Sequence, residues 1–197
     1  MILHLKPEEQ HQHKNGGGWV ANTATVEASA YIGVKSQVSG NARVSGNAQV
    51  LGYARVLGNA QVYGDARVYG DAQVSGDARV YGDARVYGNA QVYGDAQVSG
   101  NAQVYGNAQV LGNARVYGYA WETSPLYIQG TRHGVTNCAY GALAIGCKVF
   151  TFAKWKKNYK AIGKESGYTK EQIKEYGAII ALATKIGRKE TKKSGTR

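Results

Sequence analysis

Residues 62–86 read VYGDARVYGDAQVSGDARVYGDARV, in which nearly the same six letters occur four times. Counted from the aliphatic residue, this period continues in both directions and gives seventeen hexads, the first beginning at Val20 and the last at Val116. The common spelling is Val, then Tyr, Ser or Leu, then Gly, Asn or Asp, Ala, and Arg or Gln. One polar residue separates each Ala from the next Val. This period of two predicts a short strand with Val and Ala on one side.

The other half of each hexad predicts a corner. Glycine accepts a positive φ angle without steric cost, and Asn and Asp tolerate it better than most residues, so a sharp bend is cheapest at this pair. A period of six fits neither an α-helix nor a coiled coil, and short units that cannot bury a face alone must stack. The sequence therefore predicts a parallel β-solenoid.

The hexads resemble those of the hexapeptide-repeat family, in which an aliphatic residue is followed four positions later by a small one. Val62 and Ala66 match this motif, as do their equivalents through Val116, and the resemblance covers residues 20–121. It implies a left-handed parallel β-helix of triangular section with three hexads per turn, so that residues 18 apart lie one above another in about six coils. It also implies a homotrimer. We expect a homo-oligomer, with a dimer as the alternative to the trimer.

We predict a mostly β protein with four segments. An N-terminal cap segment spans residues 1–19, the β-helix spans 20–121, a C-terminal strand plus two-helix module spans 122–187, and a basic tail spans 188–197. Because the open ends of a stack need covering, we expect Trp19 to plug the first coil and the C-terminal α+β module to cap the last one.

The C-terminal module has its own pattern. Residues 126–150, LYIQGTRHGVTNCAYGALAIGCKVF, are rich in β-formers with Gly punctuation and predict two or three short strands. An amphipathic helix is then predicted from the helical spacing of Phe152, Trp155, Tyr159 and Ile162. A second helix is predicted to begin at Thr169, with Gln172 as its capping-box partner. Its apolar side is predicted to contain Ile173, Tyr176, Ile180 and Leu182.

The histidines argue against an enzyme. Many hexapeptide-repeat proteins are acyltransferases and some resemble carbonic anhydrase with histidine-bound zinc, and both chemistries need histidine on the coil. Residues 20–121 contain none, since the four histidines are His4, His11, His13 and His133. We therefore expect no catalytic activity, no metal and no cofactor, with an atypical acyltransferase as an alternative. His133 and Cys138 lie five apart as a candidate nucleophile pair without a third group. His11 and His13 lack further metal ligands.

The residue after each Val forms one of three columns along the solenoid. One column contains a tyrosine ladder, and a second column places two more tyrosines on neighbouring coils. These candidate binding residues are Tyr69, Tyr87 and Tyr105 in the first column and Tyr63 and Tyr81 in the second. Rings at the strand spacing of about 4.8 Å would form an amphipathic strip suited to an interface. Alternatively, their stacking only stabilises the coil.

Charge is concentrated near the C-terminus. Residues 151–197 contribute +9 of the formal net charge of +11. The candidate basic binding residues are Lys156, Lys157, Lys160 and Lys164. They make nucleic-acid or nucleotide binding, through this module or through an inter-subunit cleft, the first alternative function. On the solenoid, neighbouring coils carry Arg67 and Arg85 beside Asp65 and Asp83, which predicts a surface ion-pair ladder.

The order of segments carries a second resemblance. A GGGWVA entry, uninterrupted hexads and a short strand and helix module are similar to those of proteins encoded by bacteriophages and prophages. This implies an accessory phage protein that inhibits a host defence complex. The chain start lacks a signal-peptide pattern, no apolar run is long enough to span a bilayer, and two cysteines fit a reducing compartment. We expect a cytoplasmic, non-enzymatic binding protein that acts on a host protein or ribonucleoprotein complex, without a membrane partner.

Overall fold

A computed structural model describes residues 6–118 and 120–188. The chain divides into two compact units, Met1–Pro125 and Leu126–Arg197. The first is the predicted parallel β-solenoid of about six coils, and the second is an α+β unit. The fold-class prediction is confirmed in these terms. The left-handed sense, which only the family resemblance implied, stays a prediction, as does the capping role of the C-terminal module.

The solenoid has three faces, each a sheet of parallel strands in which neighbours are three hexads apart. The first face consists of Trp19–Ala21, Gln37–Val38, Arg55–Val56, Gln73–Val74, Gln91–Val92 and Gln109–Val110. The second face consists of Thr25–Val26, Arg43–Val44, Gln61–Gly64, Arg79–Gly82, Gln97–Ser99 and Arg115–Tyr117. The third face consists of Tyr31–Ile32, Gln49–Val50, Arg67–Val68, Arg85–Val86, Gln103–Val104 and Ala120–Trp121. A register of 18 residues, such as Val68 opposite Val86, runs through most of each sheet.

The interior follows the predicted alternation. Every sixth residue from Val38 to Val116 is at most 1% exposed, and every sixth residue from Ala42 to Ala114 is 0% exposed. Backbone hydrogen bonds join successive coils, for example from the Gln61 amide to the Ala78 carbonyl at 2.9 Å. A thin core of Val and Ala therefore depends on continuous backbone pairing between coils as well as on apolar burial.

From Gly40 to Gly94, each corner glycine lies against the glycine 18 residues later. Gly70 has a φ of +75°, and a Cβ at this position would lie 3.0 Å from the Gly88 nitrogen on the next coil. The following polar residues also pair along the axis: the Asn41 amide donates to Asn59 Oδ1 at 3.4 Å, and the Asn59 amide donates to Asp77 Oδ1 at 3.1 Å. Glycine is thus required at the corner for its conformation and for the close approach of the coil above.

The first coil is covered differently from the prediction. A 3-10 helix, Pro7–Glu9, leads into the strand Gln10–Gln12, which pairs antiparallel with Trp19–Ala21 and extends the first face. The glycines between them run along Ile32, whose carbonyl accepts from the Gly18 amide at 2.8 Å. Trp19 does not plug the end, because it is 41% exposed while Val20 is 1% exposed. Strand alternation explains this, since an inward Val20 turns its neighbour outward.

Trp121 is the tryptophan that enters the solenoid. The period places Glu122 opposite Val104, but Trp121 pairs there instead, one residue early. Its side chain is 0% exposed, and its Nε1 donates to the Gly118 carbonyl at 3.3 Å. Shortening the last repeat by one residue therefore brings a large ring to the inward position at the end of the third face.

The second unit contains four strands, Tyr127–Gln129, Gly134–Ala139, Ala142–Ile145 and Lys148–Thr151, in one antiparallel sheet. The prediction of two or three strands was too low, because tight turns at Gly141 and Gly146, both with positive φ, separate strands that read as one run. Two helices follow, α1 at Phe152–Glu165 and α2 at Lys170–Ile186. Their core with the sheet consists of Val135, Leu143, Ile145, Trp155, Tyr176, Ile180 and Ala183.

The helix ends follow from the local sequence. Thr169 begins α2 with the predicted capping box: its hydroxyl accepts from the Gln172 amide at 3.2 Å, and Gln172 Oε1 accepts from the Thr169 amide at 3.0 Å. Ile180 lies in the core as predicted, but Leu182 is 50% exposed and the prediction for it was wrong. Two positions of 100° each separate Leu182 from Ile180, which turns it to the far side of the helix.

Two further predictions concern the basic tail and the absence of a membrane-spanning segment. The basic tail, residues 188–197, falls outside the described residues except for Arg188, whose amide donates to Asn137 Oδ1 at 2.6 Å. Within residues 6–118 and 120–188, no helix is long and apolar enough to cross a membrane.

Replacing Gly70 with alanine should destabilise the solenoid by more than the cost of a strained φ alone, which is about 1–2 kcal/mol. The matched control is Gly17→Ala, because Gly17 has a φ of +72° with nothing within 4 Å of an added Cβ. Urea unfolding followed by circular dichroism measures both variants. Equal losses in free energy of unfolding would show that the coil above Gly70 does not constrain it.

Candidate functional site

The third face carries the predicted tyrosine ladder. The ring centroids of Tyr69 and Tyr87 lie 4.8 Å apart with an interplanar angle of 1°, and those of Tyr87 and Tyr105 lie 5.1 Å apart at 7°. Each ring follows an inward Val, so it leaves the coil at the same point of successive turns. All three side chains are half-buried. The ladder is therefore an ordered strip whose ring edges and hydroxyls face outward.

A second, shorter ladder lies on the second face. The Tyr63 and Tyr81 rings are 5.0 Å apart with an interplanar angle of 2°. The strands that carry them, Gln61–Gly64 and Arg79–Gly82, are longer than most strands of the solenoid, and their pairing includes both tyrosines. Both predicted sets of tyrosines are thus brought together as stacks, on adjacent faces.

Burial and neighbouring rings raise the pKa of two of these phenols, Tyr63 and Tyr87. Burial, then Tyr81, raises the pKa of Tyr63, and Arg79 lowers it in part. Burial, then Tyr69 and Tyr105, raises the pKa of Tyr87, and Arg85 opposes this. Both phenols are therefore protonated at neutral pH and can donate hydrogen bonds; Tyr87 already donates to Gln103 Oε1 at 3.3 Å.

The corner between the two ladders is charged. Arg67 and Arg85 lie in register on neighbouring coils, as predicted. Asp65 lies at the corner, where its Oδ1 accepts from the Asn47 amide at 3.2 Å. An ion-pair ladder with Asp65 and Asp83 stays a prediction. Around this edge, tyrosine, aspartate and arginine columns follow one another, a combination that offers apolar area and charge-assisted hydrogen bonds together.

The four predicted lysines lie on one side of α1. Lys156, Lys157, Lys160 and Lys164 are all exposed, and at 100° per residue they occupy about a quarter of the helix circumference. Lys156, Lys160 and Lys164 are spaced four apart, and such like-charge pairs destabilise a helix by a few tenths of a kcal/mol each. The structure thus places the predicted basic residues together as a positive stripe.

The candidate nucleophile pair of His133 and Cys138 is not a site. Cys138 points into the second unit, is 0% exposed, and its burial raises the pKa of the thiol to about 11. The other thiol, Cys147, is exposed and lines a cavity together with His133 and Tyr168. The sequence analysis missed Cys147 and Tyr168. In the sequence, each of these two residues is marked only by the glycine that precedes it, which indicates a turn.

Tyr168 lines this cavity and has a strongly raised pKa. Burial, then Tyr176, raises its pKa to about 12, while Arg132 lowers it. The Arg132 guanidinium lies over the Tyr168 ring, 4.9 Å from its centroid.

The N-terminal histidines have protein partners. His11 Nδ1 lies 3.0 Å from Asn22 Oδ1, and His13 Nδ1 lies 3.2 Å from the Asn15 carbonyl. Among the residues that the structure describes, no cluster of three or more His, Cys, Asp or Glu side chains could hold a metal ion.

Comparison with known families shows that part of the chain is similar to the YdcK Beta solenoid repeat. The matched windows cover residues 36–52 and, overlapping one another, residues 60–123. They lie within the solenoid and amount to less than half of the chain, so the similarity is one of repeat and fold. No match was found among curated proteins or among solved structures. Phage origin and membership of the hexapeptide-repeat family stay predictions.

The Tyr168 pKa predicts an alkaline loss of stability in the second unit. An unfolded tyrosine has a pKa of 10.0, whereas folded Tyr168 has one of about 12. The folded unit holds this proton more tightly, so the contribution is complete below pH 10 and is lost as pH rises from about 10 to 12. Urea unfolding of the wild type and Tyr168→Phe between pH 8 and 12 tests this. An equally steep decline in both proteins would contradict it.

Proposed function

We propose that this protein is a non-enzymatic binding protein that holds a protein partner against the second and third faces of its solenoid. The observation that carries the proposal is the pair of tyrosine ladders, stacked at 4.8–5.1 Å on adjacent faces, with Arg67 and Arg85 in the third-face strands that follow the corner between them. Tyrosine and arginine are the residues that most often dominate binding energy at protein interfaces.

The stacked tyrosine side chains are already ordered before a partner binds, which favours binding to this surface. A free tyrosine loses side-chain freedom on binding, at a cost of about 0.5–1.5 kcal/mol for each immobilised side chain. Each ladder ring is already restrained by at least one stacked neighbour, and Tyr87 by two, so a partner that contacts the ladder has less side-chain freedom to remove. Their hydroxyls add directional hydrogen-bonding groups to an otherwise apolar strip.

A protein partner fits this geometry better than a small molecule. The strip lies on a face of straight, stacked strands, whereas small-molecule sites are usually concave. A protein surface can contact several ladder rungs and the adjoining Arg67 and Arg85 at the same time. A homo-oligomer, a host protein and a host ribonucleoprotein complex all fit this description, and inhibition of host defence by a phage protein stays a prediction.

The tyrosine ladder supports a sharp test, because other coils carry serine at the same place in the hexad, as at Ser45 and Ser75. The triple variant Tyr69→Ser, Tyr87→Ser, Tyr105→Ser should keep the fold and lose partner affinity by about tenfold or more. The comparison uses quantitative pull-down from a bacterial lysate, with native mass spectrometry of the captured complex and of the free oligomer.

Two controls accompany this variant. Tyr93→Ser removes the lone tyrosine of the first face and should bind like the wild type. Replacement of the same three tyrosines by phenylalanine keeps the stack and should retain most of the affinity. Loss of the oligomer alone would identify a second copy as the partner. Unchanged capture and unchanged oligomeric state in the serine variant would refute the ladder as a binding surface.

A second function, nucleic-acid binding, is favoured by the lysine stripe of α1. Its like-charge spacing disfavours the isolated helix, and clustered exposed cations attract a phosphate backbone irrespective of sequence. The stripe belongs to the second unit, so this function is independent of the ladders.

The variant Lys160→Glu tests separately the effect of the lysine stripe on helix stability and its effect on nucleic-acid binding. It replaces two like-charge pairs with favourable pairs to Lys156 and Lys164, so the free energy of unfolding should rise by a few tenths of a kcal/mol. Nucleic-acid affinity should fall, as should the slope of log K against log salt. Fluorescence anisotropy with single-stranded and duplex oligonucleotides measures both quantities. Lys174→Glu, on α2, is the charge-matched control, and equal effects of the two variants would argue against a specific stripe.

A further inference from the structure

The second unit contains a cavity of about 110 Å³ between its sheet and its two helices. Its wall is formed by the turn after Ala142–Ile145, by one side of each helix and by the Tyr168 turn. The lining residues are His133, Ile145, Gly146, Cys147, Lys148, Trp155, Tyr159, Ile162, Gly163, Ser166, Tyr168, Ile173, Tyr176 and Ile180. None of these described lining residues is acidic.

Burial divides the lining into a floor and a mouth. The floor is apolar and aromatic: Ile145, Trp155, Tyr176 and Ile180 are between 2% and 5% exposed. The mouth is polar, because Cys147 is exposed and His133, Lys148 and Ser166 are half-buried. The apolar part of a ligand can therefore pack on the floor of the cavity while its polar group stays at the mouth beside the Lys148 ammonium.

The cavity is held open by hydrogen bonds on its aromatic walls. Trp155 Nε1 donates to the Leu143 carbonyl at 2.9 Å, which fixes the indole against the sheet. The Tyr176 hydroxyl donates to the His133 carbonyl at 2.8 Å and accepts from the Arg132 amide at 3.1 Å. Neither ring can turn into the empty space without breaking these bonds, so the space is not closed by a simple rotamer change.

Polar side chains from several turns line the mouth. The His133 ring packs on the turn at Gly146, where an added Cβ would lie 3.1 Å from it, and Cys147 is the next residue. The His133 and Tyr168 ring centroids are 6.0 Å apart. Lys148 follows Cys147 in the chain and lines the same opening. The mouth therefore combines a lysine ammonium, an imidazole and a phenol, which suit a hydrogen-bond acceptor that carries negative charge.

We propose that this cavity binds a small aromatic carboxylate, with its ring on the Trp155 and Tyr176 floor and its carboxylate at the mouth beside Lys148 and His133. At about 110 Å³ the cavity is smaller than the apolar cavity of about 150 Å³ that accommodates benzene, so a ring packed on the floor must extend its substituted edge through the open mouth. Edge-to-face contacts with the fixed aromatic walls favour a ring over an aliphatic chain of the same size. The absence of acidic lining residues at the described mouth leaves the lysine charge available to a ligand anion. This site is separate from the ladders and from the exposed lysine stripe of α1.

The test uses the whole 197-residue chain, with phenylacetate as the probe and phenylacetamide as its neutral counterpart. Cys147 provides the readout, because it is exposed at the mouth whereas Cys138 is fully buried. Iodoacetamide alkylation of Cys147, followed by peptide mass spectrometry, should be slowed saturably by phenylacetate. Its affinity should exceed that of phenylacetamide by about two- to fivefold, the range for a partly exposed ion pair.

Two variants test the two halves of the site. Lys148→Gln should abolish the preference for phenylacetate over phenylacetamide, and Ile162→Phe, which adds a ring to the cavity, should abolish protection by both probes. Circular dichroism and alkylation without probe verify that each variant is folded. The proposal is overturned if neither probe protects Cys147, if both protect it equally in the wild type, or if the folded Ile162→Phe protein is still protected.

Discussion

Backbone pairing between coils in a register of 18 residues is the constraint on which the solenoid depends. The Gln61 backbone amide donates to the Ala78 carbonyl, and equivalent bonds join the other coils. Residues 18 apart therefore lie on a line parallel to the solenoid axis, and a residue type that repeats in the sequence repeats along that line. A corner glycine must then lie over another glycine, and an inward Val must lie over another Val. The same register stacks Asn41 on Asn59 and Tyr69 on Tyr87, so one geometric rule produces the core, the corners and the aromatic surface.

The periodic part of the structure was predictable because a repeat turns local pattern into tertiary contact. Three hexads per turn and alternation within the hexad are sufficient to pair Arg67 with Arg85 and to stack Tyr63 on Tyr81. In the solenoid, the structure departs from the prediction at the two ends of the hexad repeat. Trp19 lies beside an inward valine and therefore points outward, whereas Trp121 gains its inward position from a one-residue shortening that the hexad period alone does not reveal.

The second unit was predictable in its helices and less so in its site. The capping box at Thr169 is a local signal, and it marks the start of α2 correctly. The cavity is not local: His133, Cys147 and Tyr168 come from three different turns, and only packing of the helices on the sheet brings them together. Sequence proximity instead favoured Cys138, which the strand Gly134–Ala139 turns into the core, where its thiol cannot meet a ligand.

Periodic and aperiodic surfaces are suited to different ligands. A solenoid face repeats similar side chains at a fixed spacing, so it forms long columns, and unlike groups meet only where columns of tyrosine, aspartate and arginine lie side by side. Recognition by such a face must come from several similar rungs acting together, and their contributions to binding are not additive in general. The cavity of the second unit has the opposite character, because an ammonium, an imidazole and an indole floor each occur there once. A ligand with one ring and one charge matches that arrangement, whereas an extended macromolecular surface matches the ladders. The two kinds of binding therefore need not compete for the same residues.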